Sequence, residues 1–568
     1  MNNDVMLLLP AGSVRLKGIL GKSLQKTTEN RLKKIDYKLL TDAFRNKQDA
    51  DLKWRGEFWG KIVRSAILAW SGCKDPELKK LIDETVKELL STQTPEGCIS
   101  SYPENIQLQG WDLWGRKYAI LGLLRYYEIM EHDPEILQAC KKIMDHLISQ
   151  LNGRDLNDFG DYFGLPASSI LIAVIQLYKH TRQPEYLQIA EKLVNAGCCY
   201  LHNIFTAVEL GVPPAQIASA KAYEMTSCFE GLCEYYRIRK DEKLKTILLN
   251  YYRMVRDREI FITGGGGLKD LNGEFWYDGT FRQTELYGIG SLGETCVTTT
   301  WLHYCDHLLR LTGDPTIADE MEKSFYNALL GAMAPDGSGW AHRNPTPLAG
   351  KSHRTLSSTQ IPGFGDHDCC LAQGPEGLAM APGYSFMASE KGITINGYED
   401  SSCTFITPSG AHAELEITGN YPCCDTVSIK LVLPENESLK LLLRIPGWSK
   451  TAEIRIGDSC YLPEGGTYFT LEQRWDTETC IVIKFDMQVE QVKSPDQKNF
   501  SAYRRGPLVL AQDSRFENGK NASDEVYFSC KAGNRILCDY ASAGNRFSPD
   551  NTLQVWFPPE NTGTGMRL

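Results

Sequence analysis

Apolar positions over the first 330 residues recur with a helical period and break at regular intervals. In each case a helix closes on aromatic or aliphatic residues, a short polar turn follows, and a new amphipathic helix opens on an acidic or proline-containing start. Leu68-Ala69-Trp70 leads to Asp75-Pro76-Glu77-Leu78, and Tyr126-Tyr127-Glu128 to Asp133-Pro134-Glu135-Ile136. Leu177-Tyr178-Lys179 leads to Gln183-Pro184-Glu185-Tyr186, Tyr235-Tyr236-Arg237 to Asp241-Glu242-Lys243-Leu244, and Leu308-Leu309-Arg310 to Asp314-Pro315-Thr316-Ile317. An Asp N-cap accepts an orphan N–H of the first turn, and Pro has none to leave unpaired, so these are helix starts with a mechanism. Five hairpins, mostly about 50–60 residues apart, predict a helical-repeat array. Closing such an array into an α/α toroid removes both of its exposed edges.

After about Pro382 the period changes from helical to alternating. Gly392-Ile393-Thr394-Ile395, Ala413-Glu414-Leu415-Glu416-Ile417, Val427-Ser428-Ile429-Lys430-Leu431-Val432 and Ile481-Val482-Ile483-Lys484-Phe485 read as strands punctuated by Gly, Pro, Asn and Asp. The prediction is a multidomain α-then-β chain. It has a helical domain over residues 1–382 with a short N-terminal lead-in, an antiparallel β-sandwich over 383–520, and a β or extended segment over 521–568.

Composition narrows the partners. A formal charge of -10 offers no surface for releasing counterions from phosphates, so no nucleic-acid partner is expected. No apolar run is read as reaching the ~20 residues that span a bilayer, so no membrane partner is expected either. The start, Met1-Asn2-Asn3-Asp4, lacks a basic leader. The 18 cysteines are then read as reduced thiols in a cytoplasmic protein, most of them buried.

Candidate chemistry concentrates in inserted loops. The longest gap between hairpins holds Gly264-Gly265-Gly266-Gly267, Gly273-Glu274-Phe275 and Gly293-Glu294-Thr295-Cys296, and a further glycine-rich loop holds Cys369-Cys370. Glu-x-Cys is a weak pattern, and Cys198-Cys199 and Cys423-Cys424 show that vicinal pairs recur here without evident purpose. The polar, glycine-rich setting sets residues 369–370 apart, and three thiolates with a carboxylate would suit tetrahedral Zn²⁺.

Taken in order, these motifs resemble glycoside hydrolase family 127, the β-L-arabinofuranosidase family. Trp54-Arg55-Gly56-Glu57-Phe58-Trp59-Gly60-Lys61, Leu443-Arg444-Ile445-Pro446-Gly447-Trp448 and Arg505-Gly506-Pro507-Leu508-Val509 add to the resemblance, which covers roughly residues 40–515. It implies an (α/α)6 barrel followed by β-sandwich modules. It further implies zinc held by Glu294, Cys296, Cys369 and Cys370, with Cys369 as nucleophile and Glu274 as general acid/base of a retaining hydrolysis. The expected substrate is a small molecule or oligosaccharide carrying a furanosyl residue, and a homodimer is an expected assembly because sandwich modules of such enzymes often pair. Where the family carries Gly-His on inner helices, this chain has Lys117 and Lys221, and two fixed positive charges would favour an acidic sugar. His367 and Trp114 are further candidate sugar contacts, as are the loop aromatics Trp276 and Trp340. Two other classes fit the toroid. One is a sugar lyase or epimerase with a structural zinc, the other a non-catalytic carbohydrate-binding protein.

Overall fold

The computed structural model describes residues 4–267, 273–284, 292–345, 351–359, 361, 363–516 and 526–559. Among these, six helices form an inner ring: Gly56–Cys73, Asp112–Ile129, Leu171–Thr181, Ala222–Arg239, Thr295–Thr312 and Cys369–Ala379. Each packs on the next and the last packs on the first, so the ring is closed. Their sequences suit burial on every side. Ala222–Arg239 is buried continuously from Ala222 to Arg237. The outer helices are amphipathic instead; Pro134–Leu151 buries Ile136, Ala139, Cys140, Ile143, Met144 and Leu147, one stripe at helical spacing.

The start signals act as the sequence implies. The carboxylates of Asp75, Asp133, Asp241 and Asp314 each accept a first-turn N–H, whereas Gln183 makes no side-chain cap. The sixth pair was not visible as a hairpin, because Cys369–Ala379 takes its outer neighbour, Ile19–Thr27, from the other end of the barrel sequence. One expectation is corrected. The stretch Tyr162–Thr181, whose most apolar 18 residues have mean hydropathy 1.2, is long and apolar enough to cross a bilayer. Its window is 72% buried within the protein, as an inner-ring helix requires.

Helices Gly56–Cys73 and Asp112–Ile129 approach unusually closely. A Cβ on Gly60 would lie 2.1 Å from the Tyr118 carbonyl oxygen, so only glycine fits there. That approach sets the side chains of Glu57 and Trp114 against each other.

Beyond the barrel lie two sheets whose inward residues share one core with it. One runs in the order Met6–Leu8, Phe386–Ser389, Gly392–Ile395, Glu437–Ile445, Thr467–Trp475, and the other from Ser459–Tyr461 to Val14–Leu16. In Thr426–Val432, Val427, Ile429 and Leu431 are buried while the intervening residues face outward, the alternation read from the sequence. The N-terminal lead-in is thus part of the β module: Met6–Leu8 pairs with Phe386–Ser389, and Val14–Leu16 with Ser401–Ile406. A third sheet contains Leu508–Asp513, Arg535–Asp539 and Ser529–Ala532, with a small separate core around Tyr540, Val555 and Trp556.

Two of the quoted motifs turn out to join the modules. Arg444, fully buried, donates to Glu322 at 2.6 Å and also pairs with Asp319, both on the barrel helix Pro315–Lys323. The Trp448 indole donates to Glu322 at 3.0 Å, and the Gly447 N–H donates to Asp319 at 2.9 Å. Asn327 likewise donates to the Pro507 carbonyl and accepts from the Val509 N–H, both at 2.8 Å. Removing one partner of a buried, hydrogen-bonded ion pair leaves the other charge uncompensated. Arg444→Ala is therefore expected to cost about 3–5 kcal/mol of stability, read as a lowered denaturation midpoint. A variant melting like the parent would show that Arg444 does not clamp the modules.

Candidate active site at the helix N-termini

All six inner helices point their N-termini at one cavity of about 430 Å³. Its walls come from Glu57 and Lys61, from Trp111 and Trp114, and from Tyr162 ahead of the third inner helix. Lys221, Tyr223 and Glu224 open the fourth inner helix, Glu294 immediately precedes the fifth, and Cys369 is the first residue of the sixth. Glu274 reaches in from the inserted loop. Each N-terminus carries unpaired N–H groups and about half a positive charge, so this end of the barrel favours carboxylates and thiolates.

The local chain path explains how the groups meet. The Glu294 N–H donates to the Gly266 carbonyl at 3.1 Å, tying the tetraglycine turn to the fifth inner helix. Gly267, at φ +96°, has no room for a side chain, since a Cβ would lie 1.8 Å from the Gly273 carbonyl oxygen. A bridge between Lys221 and Phe275, with the Ala222 N–H donating to the Glu274 carbonyl at 2.9 Å, sets Lys221 beside Glu274. Leu292–Glu294 pairs with Arg343–Pro345, placing Glu294 opposite Arg343 and bringing His342 into the site. Asp368 caps the sixth inner helix by accepting the Cys370 N–H at 2.8 Å.

Three thiols and a carboxylate crowd together. The Cys369 and Cys370 Sγ atoms each lie 3.7 Å from Glu294 Oε1 and 3.8 Å from each other, and Cys370 Sγ lies 3.5 Å from Cys296 Sγ. The His342 ring adjoins them, with Nε2 3.6 Å from Glu294 and 3.5 Å from Glu274, and Nδ1 3.8 Å from Asp368. Ligand atoms of Glu294, His342, Cys369 and Cys370 all fall within 4.8 Å of one another, a grouping able to hold a metal ion.

Burial and neighbouring charge shape the protonation states. Burial alone would raise the Glu274 pKa, but a hydrogen bond to His342 and the charge of Lys221 outweigh it and hold the group at about 2. Burial opposes the charged form of His342, yet Cys369, Glu274 and Asp368 raise its pKa to about 9. For Lys61, burial is likewise overcome, by Glu57 and then Cys296, and the ammonium is held. Lys61 pairs with Glu57 at 3.1 Å, and Glu57 also accepts from the Trp114 indole.

The cavity brings together Glu274, Glu294, Cys369, Lys221 and Trp114, with Cys296 and Cys370 directly behind them. Four other candidates lie elsewhere. Lys117 is fully buried one layer back, donating to Ser169 at 3.1 Å and sitting 3.5 Å over the Trp114 ring, and burial lowers its pKa to about 7. His367 packs between Phe58 and Phe364, with centroids 6.2 and 5.5 Å away, and burial lowers its pKa to about 4. Trp276 is buried and gives its N–H to the Tyr251 hydroxyl at 3.1 Å; Trp340 is buried against Gly374. These are core contacts, not cavity walls. Glu57 and Lys61 lie inside a motif already quoted, and Tyr223 and Glu224 beside Lys221, so periodicity on those helices could have found them. His342 stood in no motif.

Comparison with known proteins agrees with the geometry. The family model for the β-L-arabinofuranosidase GH127 catalytic domain matches residues 20–383, and that for the GH127 middle domain matches 392–487. A non-reducing end β-L-arabinofuranosidase of Bifidobacterium longum subsp. longum is 23% identical over 518 residues, covering 82% of this chain and 75% of the relative. The fold superposes on a GH127 β-L-arabinofuranosidase from Geobacillus stearothermophilus T6 with a TM-score of 0.75 at 18% identity, covering 96% of this chain and 99% of that one. The GH127 β-arabinofuranosidase BT3674 gives a TM-score of 0.76 at 17% identity, covering 98% of each chain. A closed helical ring, a strand-rich module behind it and a matched catalytic domain together place the chain in glycoside hydrolase family 127, as a β-L-arabinofuranosidase-like glycoside hydrolase.

Proposed function

We propose that the protein is a retaining glycosidase that releases a small, uncharged furanosyl residue of the L-arabinofuranose kind. In this reading Cys369 is the nucleophile, Glu274 the acid/base, and Glu294, Cys296, Cys369 and Cys370 the ligands of a zinc ion. One observation carries it: a cluster spaced for a tetrahedral ion opens into the same cavity as Glu274. Zinc–sulfur bonds of about 2.3 Å and zinc–oxygen bonds of about 2.1 Å give tetrahedron edges of about 3.6–3.8 Å. Four of the six edges are measured, at 3.5, 3.7, 3.7 and 3.8 Å, and lie close to those values, while His342 brings a further ligand nitrogen to the group. Bound zinc would keep the sulfurs as thiolates and spread their charge.

The chain's own groups account for the rest. Cys369 Sγ forms a bond to the anomeric carbon as the bond to the leaving oxygen breaks, and that oxygen takes a proton from the Glu274–His342 pair. Water then attacks the same carbon, giving its proton to Glu274 while the carbon–sulfur bond breaks, and two inversions leave net retention. Trp111, Trp114 and Tyr162 supply flat faces for the sugar C–H groups, with adjacent centroids 5.7 and 5.9 Å apart.

Charge supports an uncharged sugar over an acidic one. The walls carry four carboxyl groups, Glu57, Glu224, Glu274 and Glu294, against two ammonium groups, Lys61 and Lys221. Lys117 does not reach the cavity, and Lys221 is already paired with Glu274. The two-lysine case for an acidic substrate therefore loses its basis.

The loop bearing Glu274 is anchored by Glu259, whose carboxylate accepts the N–H groups of Tyr277 at 2.8 Å and Gly279 at 3.2 Å. Misplacing a reacting group by about 1 Å costs about 10²-fold. Glu259→Ala is thus expected to lower kcat/KM by about 10²-fold with zinc content unchanged by elemental mass spectrometry; parent-like kinetics would mean the loop holds itself.

Glu274→Gln is expected to cut kcat by about 10²–10⁴-fold. With 4-nitrophenyl β-L-arabinofuranoside, whose leaving group needs little protonation, it should leave a pentosyl increment on the peptide containing Cys369. Turnover with the increment on another residue, or undiminished turnover, would rule the assignment out.

A further inference from the structure

Two of the cavity's four carboxyl groups take no part in the proposed reaction, Glu57, which is paired with Lys61, and Glu224. Glu224 lies in the first turn of helix Ala222–Arg239, is 3% exposed, and lines the cavity between Lys221 and Tyr223. Its Oε2 is closed off from solvent and has no hydrogen-bond partner. The neighbours that might have taken it are committed elsewhere. Lys221 pairs with Glu274, the Tyr223 hydroxyl meets Gln373 at 3.0 Å and also Tyr118, and Lys61 pairs with Glu57. Among the described residues Glu224 Oε2 accepts no hydrogen bond, and the Lys221 ammonium, shared with Glu274, is its main compensating charge. Burial raises its pKa.

A buried, unsatisfied carboxylate is costly in the free protein. It is tolerable where a ligand supplies the missing donors. Sugar hydroxyls are such donors, and a carboxylate accepts two from neighbouring ring carbons without steric conflict. A site that leaves a polar group unpaired when a hydroxyl is missing discriminates far more sharply than an apolar wall. From the cavity, the burial and the unpartnered Oε2, we infer that Glu224 is the specificity-determining residue, accepting hydrogen bonds from ring hydroxyls of the bound sugar. The inference rests on the glycosidase reading of this cavity and adds to it the class of sugar taken. The sugar keeps its hydroxyls free on the face turned to the start of helix Ala222–Arg239, so deoxygenated or acylated residues are rejected.

The test uses the full-length protein with its metal. A panel of 4-nitrophenyl furanosides and pyranosides first identifies the glycoside cleaved fastest, and its monodeoxy analogues are then compared in the parent, Glu224→Gln and Glu224→Ala. In the parent, one deoxy analogue is expected to lose about 10⁴-fold in kcat/KM. In Glu224→Ala that penalty should shrink to below about tenfold, because the group left unpaired is gone, while the glycoside itself becomes a poor substrate. Glu224→Gln, still an acceptor, should fall between the two. Equal deoxy penalties in parent and variants overturn the inference and leave the proposed activity standing. A parent that cleaves no member of the panel overturns the activity and this inference with it.

Discussion

Helices that must be buried on nearly every side can meet that demand only by closing on one another, and here six do so in a ring. Ring closure fixes more than stability. Since each inner helix follows an outer one running the opposite way, all six inner N-termini emerge at the same end. Their orphan N–H groups and partial positive charges then sum over one small volume. Four carboxyl groups and a cysteine cluster collect there, in a density that open solvent or a helix C-terminal end would penalise. The lysines among them, Lys61 and Lys221, act as counterions to Glu57 and Glu274 before they act on any ligand.

Much of this was legible in the chain, for physical reasons. The Asp-Pro starts mark outer helices because capping is a local interaction, complete within four residues. The switch from helical to alternating period marks the sheets because burial on one face leaves no other pattern. The close positions of Glu294 and Cys296 were readable because they flank a helix start; Cys369 with Cys370 stood out by the glycine-rich lead-in, although they open a helix and do not lie in the loop the sequence suggested.

What escaped was non-local. The sixth helical pair joins Ile19–Thr27 to Cys369–Ala379, and no periodicity connects segments so far apart. His342 reaches the cluster only through the pairing of Leu292–Glu294 with Arg343–Pro345. Lys117 and His367 escaped for the opposite reason: their neighbours in sequence do reach the site, but helical rotation of about 100° per residue turns Lys117 to the core, and His367, in the loop before the sixth inner helix, packs between Phe58 and Phe364. Trp276 shows the same ambiguity in a loop, where an aromatic ring can cover a ligand or the protein, and here covers Tyr251.

The pairing of the chain's first strands with its later ones bears on how the molecule comes to exist. The Leu20 N–H donates to Glu399 across 379 residues, and the two N-terminal strands are edges of sheets whose remaining members follow the whole barrel. During synthesis, then, the opening segment must wait, unpaired, while five-sixths of the ring assembles without its last member. Cys369 and Cys370 arrive with that last helix. The thiol cluster, shared between the starts of the fifth and sixth inner helices, therefore cannot come together until residues 369–370 have been made.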